Sequence, residues 1–357
     1  MNISDSQRIA TKIESLGYKS APEKEADLVI VNACSVRQKA VDRIWGGIKK
    51  WQKAGKEIII TGCVLPADKK ILNSKNITVF NIQDLQNLNE ILYKHSYVLK
   101  NLRISSRDSL EYFHIPVKND NKIAYIPIMT GCDNFCSYCA VPYTRGREIS
   151  RPMKDIITDV KKTIKDGFKE ILLLGQNVNS YNKCSSDYNR KINNDHFIKL
   201  LITIDSLPGD FEFNFISSNP HDITDEIIKT FSELKKWPKE LHLPMQSGDD
   251  EILRKMNRKY DSQKFLKLVS SLKSLVPDIR LSTDIIVGFP GETKTQFENT
   301  VKICKKIGFK KAYISQYSPR PGTAATKLKD NVPAKEKKRR WKMLDELINK
   351  NLTTQIS

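Results

Sequence analysis

Over residues 4–16 the apolar positions Ile9, Ile13 and Leu16 recur at helical spacing, and residues 27–32 then read as a buried strand. A second helical stretch over 40–53 precedes a strand at 57–61, and a shorter strand follows at 76–80. Helix and strand alternating in this way predict a parallel sheet with covering helices. Residues 97–122 are polar, charged and poorly periodic, and read as a linker. From Ile123 the pattern restarts. Apolar runs at 123–129, 170–174, 211–216, 240–244, 279–287 and 312–317 predict further strands, separated by amphipathic stretches at 153–166, 197–206, 222–234, 249–276 and 293–307. Repeated strand–helix units of this length build a parallel barrel, and these are too few to close a full one. The expected class is therefore α/β: a doubly wound domain over 1–100, a linker at 101–121, a partial (βα)6 TIM-like barrel over 122–330, and a basic C-terminal helix within 331–357. A partial barrel leaves a lateral opening, which suits a large substrate.

Composition narrows the class without changing the picture. The 357 residues, 39% hydrophobic and 28% charged, are ordinary for folded domains and exclude disordered, fibrous and small disulfide-stapled classes. No apolar run is long enough to cross a bilayer, and the first residues are polar and acidic where a signal peptide would be apolar, so a cytoplasmic protein is expected, without a membrane partner and as a monomer. The 60 Lys and Arg against 41 Asp and Glu leave a net charge of +19. That charge favours a polyanion such as nucleic acid, or else belongs to the solvated surface of a lysine-rich protein.

The 7 cysteines, odd in number, point to metal ligands or reactive thiols rather than disulfides. Directly after the first barrel strand stands Thr130-Gly-Cys132-Asp-Asn-Phe-Cys136-Ser-Tyr-Cys139, with spacing C-x3-C-x2-C. Three soft ligands on one loop cap a face of an iron–sulfur cubane and keep one iron open to a non-protein ligand. Structural zinc, the alternative, needs four closed ligands, and no fourth Cys or His lies nearby in sequence. Cys34 and Cys63 each follow a predicted parallel strand, the edge where doubly wound sheets collect ligands, and so converge on one site or are two buried thiols packed as small hydrophobes. Cys184 and Cys304 fit no motif and read as structural.

The thiol spacing, with Tyr138 just before the third Cys, resembles the radical S-adenosylmethionine (SAM) enzymes. Further segments resemble the methylthiotransferases among them, in the branch acting on isopentenylated adenosine of tRNA: Val141-Pro-Tyr-Thr-Arg-Gly-Arg-Glu148, Ser150-Arg-Pro152, Leu174-Gly-Gln-Asn-Val-Asn-Ser-Tyr181, Leu243-Pro-Met-Gln-Ser-Gly248 and Met256-Asn-Arg-Lys-Tyr260. The resemblance implies a flavodoxin-like first domain and a radical SAM barrel. It implies two [4Fe-4S] clusters, one at Cys132, Cys136 and Cys139 that binds SAM, and an auxiliary one at Cys34 and Cys63. It also implies tRNA as substrate, an electron donor such as flavodoxin or ferredoxin, and a sulfur source. The family's third auxiliary ligand lies in a Gly-Cys-Gln-Met-Asn element; the sequence starts at Met1-Asn2, where that element would end, so the first strand and this ligand are expected to be missing by truncation, and the family's small RNA-binding TRAM domain is likewise absent. Two rival readings are the sister enzyme that modifies an aspartate of a ribosomal protein and a noncatalytic iron–sulfur RNA-binding protein.

Residues expected to touch SAM stand at strand ends: Gln176 and Asn177 after the second barrel strand, Asn214, Ser217 and Ser218 at the third, Gln246 at the fourth, and Asp284 and Gly288 at the fifth. Amides and hydroxyls there offer neutral hydrogen bonds, and glycine permits close backbone approach. Arg145, Arg147, Arg151 and Arg320 are expected to grip tRNA phosphates, because the guanidinium fork is bidentate and always charged. Residues 335–340 read as a solvated basic helix face.

Overall fold

The computed structural model describes residues 1–35, 38–96, 111–115, 122–182 and 194–350. The first half comprises α1 (Asn2–Ser15), β1 (Leu28–Ala33), α2 (Gln38–Lys53), β2 (Glu57–Gly62), α3 (Pro66–Ser74), β3 (Thr78–Val79) and α4 (Leu88–Ser96). The three strands pair in parallel with β2 central. Successive side chains of a strand point to opposite faces, so Ile59 enters a core with Ile9, Phe80 and Leu85, while Ile58 and Ile60 enter another with Ile48 and Leu72. Both faces being covered explains why the strand is a continuous β-branched run rather than an alternating one.

Part of the expected linker packs instead of spanning solvent. A single 3-10 turn at Glu111–His114 buries Tyr112, Phe113 and Ile115 in the Ile59 core. The rest of residues 97–121 lies outside the described residues, as does Cys184.

The second half runs β4 (Ile123–Pro127), β5 (Met129–Thr130), α5 (Val141–Arg145), β6 (Ile149–Ser150), α6 (Met153–Lys165), β7 (Glu170–Leu174), α7 (Asp195–Asp205), β8 (Glu212–Phe215), α8 (Asp225–Glu233), β9 (Glu240–His242), α9 (Asp250–Lys255), α10 (Ser262–Leu275), β10 (Arg280–Val287), α11 (Lys294–Ile307), β11 (Lys311–Gln316) and α12 (Ala334–Asp345). Strands β4-β7-β8 form one parallel sheet and β9-β10-β11 a second, with β9 beside β8. The partial barrel read from the sequence is thus present, and its strands share one core with the surrounding helices. Along β10, Leu281, Thr283, Ile285 and Val287 are buried, while Ser282, Asp284 and Ile286 are half-buried on the other face.

Two expectations need correction. The amphipathic stretch at 249–276 is two helices, because Asp249 and Asp261 each cap a separate start, accepting from Ile252 N at 3.1 Å and Lys264 N at 2.7 Å. Between them Asn257 turns through the left-handed region at φ +56°. The C-terminal helix is not simply a solvated basic face. Lys337 and Arg340 are buried, Arg340 pairs with buried Glu292 at 2.6 Å, and Leu344 and Ile348 join the barrel core. The indole of Trp341 also donates to the Ile314 carbonyl at 2.9 Å.

Removing one member of a buried ion pair leaves the other charged in a dry site. Arg340→Met is therefore expected to lower stability by about 3–5 kcal/mol in urea denaturation. The double variant Arg340→Met, Glu292→Gln is expected to recover a large part of that loss.

Candidate functional site

The three-thiol loop leaves the carboxyl end of the first barrel strand, where function concentrates in this architecture. A short antiparallel ribbon closes its base, with Met129 opposite Ser150 and Thr130 opposite Ile149. Gly131 is required there: its φ is +76°, and a Cβ would collide with the Arg147 carbonyl. The Cys132 amide then donates to the Gly146 carbonyl at 3.2 Å, and the Cys139 amide to the Cys136 carbonyl at 2.9 Å.

The turn between α9 and α10 holds this loop from the opposite half of the barrel. Ser137 donates its amide to the Met256 carbonyl at 3.0 Å and its hydroxyl to the Lys255 carbonyl at 2.7 Å. Asn257 donates to the carbonyls of Asn134 and Phe135 at 3.3 and 3.0 Å. Past the last barrel strand, Ala325 N donates to the Ser137 carbonyl at 2.7 Å. Tyr138 packs against Ile252, Met256, Phe289, Tyr317 and Ala325.

Each sulfur meets a donor: Asn134 Nδ2 stands 3.5 Å from Cys132, the Val141 amide 3.5 Å from Cys139, and Arg258 3.4 Å from Cys136. Burial pushes the thiols of Cys132 and Cys139 up to about 11 and about 12, so their ionised forms call for strong positive charge nearby. Among the described residues no three His, Cys, Asp or Glu side chains close on a single-ion site. Three thiols on one loop, each with a sulfur-directed N–H group, suit the corners of a cubane.

The residues expected at SAM ring the carboxyl ends of the strands. Gln176 Oε1 and Asn177 Oδ1 are buried acceptors with no partner, and Asn177 is fixed by donating to Asp222 at 2.7 Å. Two unpaired acceptors beside a thiol loop suit the donors of an amino group or a ribose, so the residues present fit SAM. Ser217 adopts φ +71° and its carbonyl accepts from Val178, and Ser218 is buried. Gln246, at φ +66°, lengthens β9 by exchanging backbone bonds with Asp284 and Ile286.

Three placements differ from expectation. The Asn214 oxygen accepts from the Trp237 indole at 3.2 Å, which braces a stacked aromatic cluster. Gly288, at φ +67°, has its open side filled by the Lys337 methylenes, so α12 accounts for the close approach there. Asp284 faces His242, whose Nε2 stands 3.3 Å from its Oδ2 and whose Nδ1 is 3.0 Å from the Ser282 hydroxyl.

Cys34 and Cys63 leave neighbouring strands together, because Ala33 and Gly62 are direct partners in the sheet register. The Cys63 amide donates to the Ala33 carbonyl at 2.9 Å, and Ser35 donates to the Cys63 carbonyl. Two of the arginines expected at phosphates lie against this pair. Arg145, in the last turn of α5, donates from Nε to the Cys63 sulfur at 3.2 Å, and its Nη2 pairs with Asp5 at 2.7 Å and meets Asn2 at 3.1 Å. Burial opposes that charge, but Cys63 and Asp5 outweigh it and hold the guanidinium above its usual range. Arg320 donates to Gln38 at 2.6 Å and shares its surroundings with Cys34.

Arg151 is also buried, donating to the Pro127 carbonyl at 2.9 Å and to Asp159 at 2.8 Å, with its plane over Phe113. Buried and committed to protein partners, Arg145, Arg151 and Arg320 do not present the open fork that a phosphate needs. Arg147 alone of the four is exposed, at 72% of its side chain, with Asp133 on its Nε and Nη2 edge at 2.7 and 3.3 Å.

Sequence reasoning gave no role to Arg258, Asn257 or His242. Arg258 is held between the Cys136 sulfur, the Tyr260 hydroxyl, Asn219 and the Pro244 carbonyl. Its signal was the Asn-Arg-Lys-Tyr segment, whose use appears only when the helix break is seen. His242 immediately precedes the Leu-Pro-Met-Gln-Ser-Gly segment.

Comparison with known proteins agrees with this geometry. Residues 126–304 match the radical SAM superfamily, and residues 1–97 match a family described as uncharacterized protein family UPF0004. A tRNA-2-methylthio-N(6)-dimethylallyladenosine synthase from Clostridium botulinum (strain Okra / Type B1) is 40% identical over 98% of this chain and 79% of its own. The synthase of the same name from Carboxydothermus hydrogenoformans is 38% identical over 98% and 81%. Among solved structures, the radical S-adenosylmethionine methyltransferase TsrM from Kitasatospora setae superposes with a TM-score of 0.60 at 13% identity, covering 89% of this chain and 68% of that one. That likeness concerns the fold alone. Among the described residues no helix is long and apolar enough to cross a membrane. The superfamily carries one [4Fe-4S] cluster and SAM, for which the three-thiol loop is the matching donor set. By its identity to relatives over nearly its whole length, the chain belongs to the radical SAM superfamily and, within it, to the tRNA-2-methylthio-N(6)-dimethylallyladenosine synthase family.

Proposed function

We propose that the chain is a tRNA methylthiotransferase, inserting a methylthio group at carbon 2 of isopentenylated adenosine beside the anticodon, with SAM as methyl donor and radical source. The observation that carries this is the three-thiol loop at the end of β4, in a chain related over nearly its full length to synthases of that name. When bound, the cluster and SAM supply a carbon radical able to open an unreactive C–H bond, a task that acid–base groups cannot do.

The chain's own residues orient these groups. Cys132, Cys136 and Cys139 hold the irons, and Asn134, Val141 N and Arg258 direct N–H groups at the sulfurs. Gln176 and Asn177 offer acceptors to SAM, with Tyr138, Ser217, Ser218, Gln246 and Asp284 around it. Cys34 and Cys63 hold the auxiliary cluster, with Arg145 and Arg320 as positively charged neighbours. An electron donor such as flavodoxin or ferredoxin and a separate sulfur source serve the reaction, in the cytoplasm.

Ala replacement of Cys132, Cys136 or Cys139 is expected to abolish reductive SAM cleavage, measured anaerobically as 5′-deoxyadenosine with dithionite. Ala at Cys34 or Cys63 is expected to retain cleavage and lose methylthiolation of tRNA. The wild-type protein must form methylthioadenosine in isopentenylated tRNA, and its failure to do so under reducing conditions with sulfide overturns the reading.

Arg145→Met strands Asp5 in the junction and is expected to lower stability by about 3–5 kcal/mol. The same variant removes the cation that favours the Cys63 thiolate and is expected to make Cys63 react more slowly with a thiol reagent in iron-free protein, read by mass spectrometry of the labelled peptide.

A further inference from the structure

The three-thiol loop and the helix after it display two aromatic rings that neither the irons nor SAM account for. Phe135 and Tyr143 are exposed, at 38% and 43%, and meet edge to face with centroids 6.2 Å apart at 84°. The Arg147 guanidinium lies over the Phe135 ring, 5.4 Å from its centroid. Asp133 holds it there, accepting from Nε at 2.7 Å. The display is built rather than incidental. Phe135 sits in the left-handed region at φ +46°, a costly conformation for a bulky residue, and the Asn257 amide secures its carbonyl. Tyr143 is carried by α5, the helix that Arg145 anchors in the domain junction.

We infer that Phe135, Tyr143 and Arg147 form a stacking platform for an unpaired RNA base next to the modified adenosine. The inference rests on the tRNA reading above. An adenine reaching a radical site must leave its stack, and the neighbouring base then loses a partner. Aromatic rings and an arginine plane replace that partner for any base, since every base has a π-face. Two rings and a guanidinium match the size of a base and are too small for a protein interface. The net charge of +19 and the exposed side chain of Arg147 match a phosphate backbone.

The test uses the iron-loaded protein and an anticodon stem–loop hairpin with 2-aminopurine beside the target position, whose fluorescence falls on stacking. Tyr143→Leu and Phe135→Leu are expected to weaken hairpin binding about ten-fold and to relieve the quenching. Tyr143→Phe and Phe135→Tyr are expected to keep both. Arg147→Gln is expected to reduce the slope of log affinity against log salt by about one counterion, whereas the Leu variants keep the wild-type slope. Tyr143, on a surface helix, keeps the test decisive if Phe135 variants lose iron. Wild-type affinity and quenching in a Tyr143→Leu protein of normal iron content overturn the platform. So does a variant that binds RNA normally but accepts electrons more slowly from reduced flavodoxin, since the rings then serve a protein partner. If wild-type protein binds no hairpin and modifies no tRNA, the tRNA reading falls and the platform with it.

Discussion

Arg145 carries a full positive charge into the junction between sheet domain and barrel, and a charge removed from water must find its compensation in protein. Asp5 of α1 provides the carboxylate, Asn2 an amide oxygen and Cys63 a sulfur. These partners come from the first helix and the end of the central strand, while the arginine closes the helix that follows Cys139. Satisfying one guanidinium therefore sets α1, β2 and α5 against one another, and with them the approach of the three-thiol loop to the two-thiol edge. Arg151 and Phe113 repeat the device beside it, and Arg320 reaches Gln38 from the far end of the barrel.

Legibility in the sequence followed the range of the forces involved. Strands such as β2 and β10 were readable because burial on one face or both writes a local pattern of residue types. The thiols were readable because ligand spacing within one loop is a local fact, and the pairing of Cys34 with Cys63 because parallel register brings strand ends together. Arg145, Arg151 and Arg320 were misread, because a guanidinium on the surface and one in a buried junction look the same in sequence. What decides between them is the position of Asp5, Asp159 or Gln38, each remote along the chain or on another element. The break inside residues 249–276 was missed for a related reason: two good helices separated by a short turn keep one amphipathic pattern, and only the caps Asp249 and Asp261 mark the joint.

The barrel strands present a polar face as well as a buried one, and the same alternation that hides Thr283 and Ile285 aligns Ser282 and Asp284 with His242. Both imidazole nitrogens are engaged, so the ring acts as a spacer that fixes the carboxylate of Asp284. The acceptors of Gln176 and Asn177 stand at the end of β7, in the other sheet of the same barrel. A rigid polar lining of this kind gives a ligand defined orientations without requiring loops to move.

The braces of the three-thiol loop come late in the chain. Ser137 is held by Lys255, Met256 and Ala325, and Gly288, on the same side, is backed by α12. During synthesis the thiols leave the ribosome long before the residues that position them, and contacts so remote in sequence form slowly. Cysteines exposed in that interval are open to oxidation and to stray metal ions. The loop that carries the thiols therefore gains its final shape only once α9, Ala325 and α12 are in place.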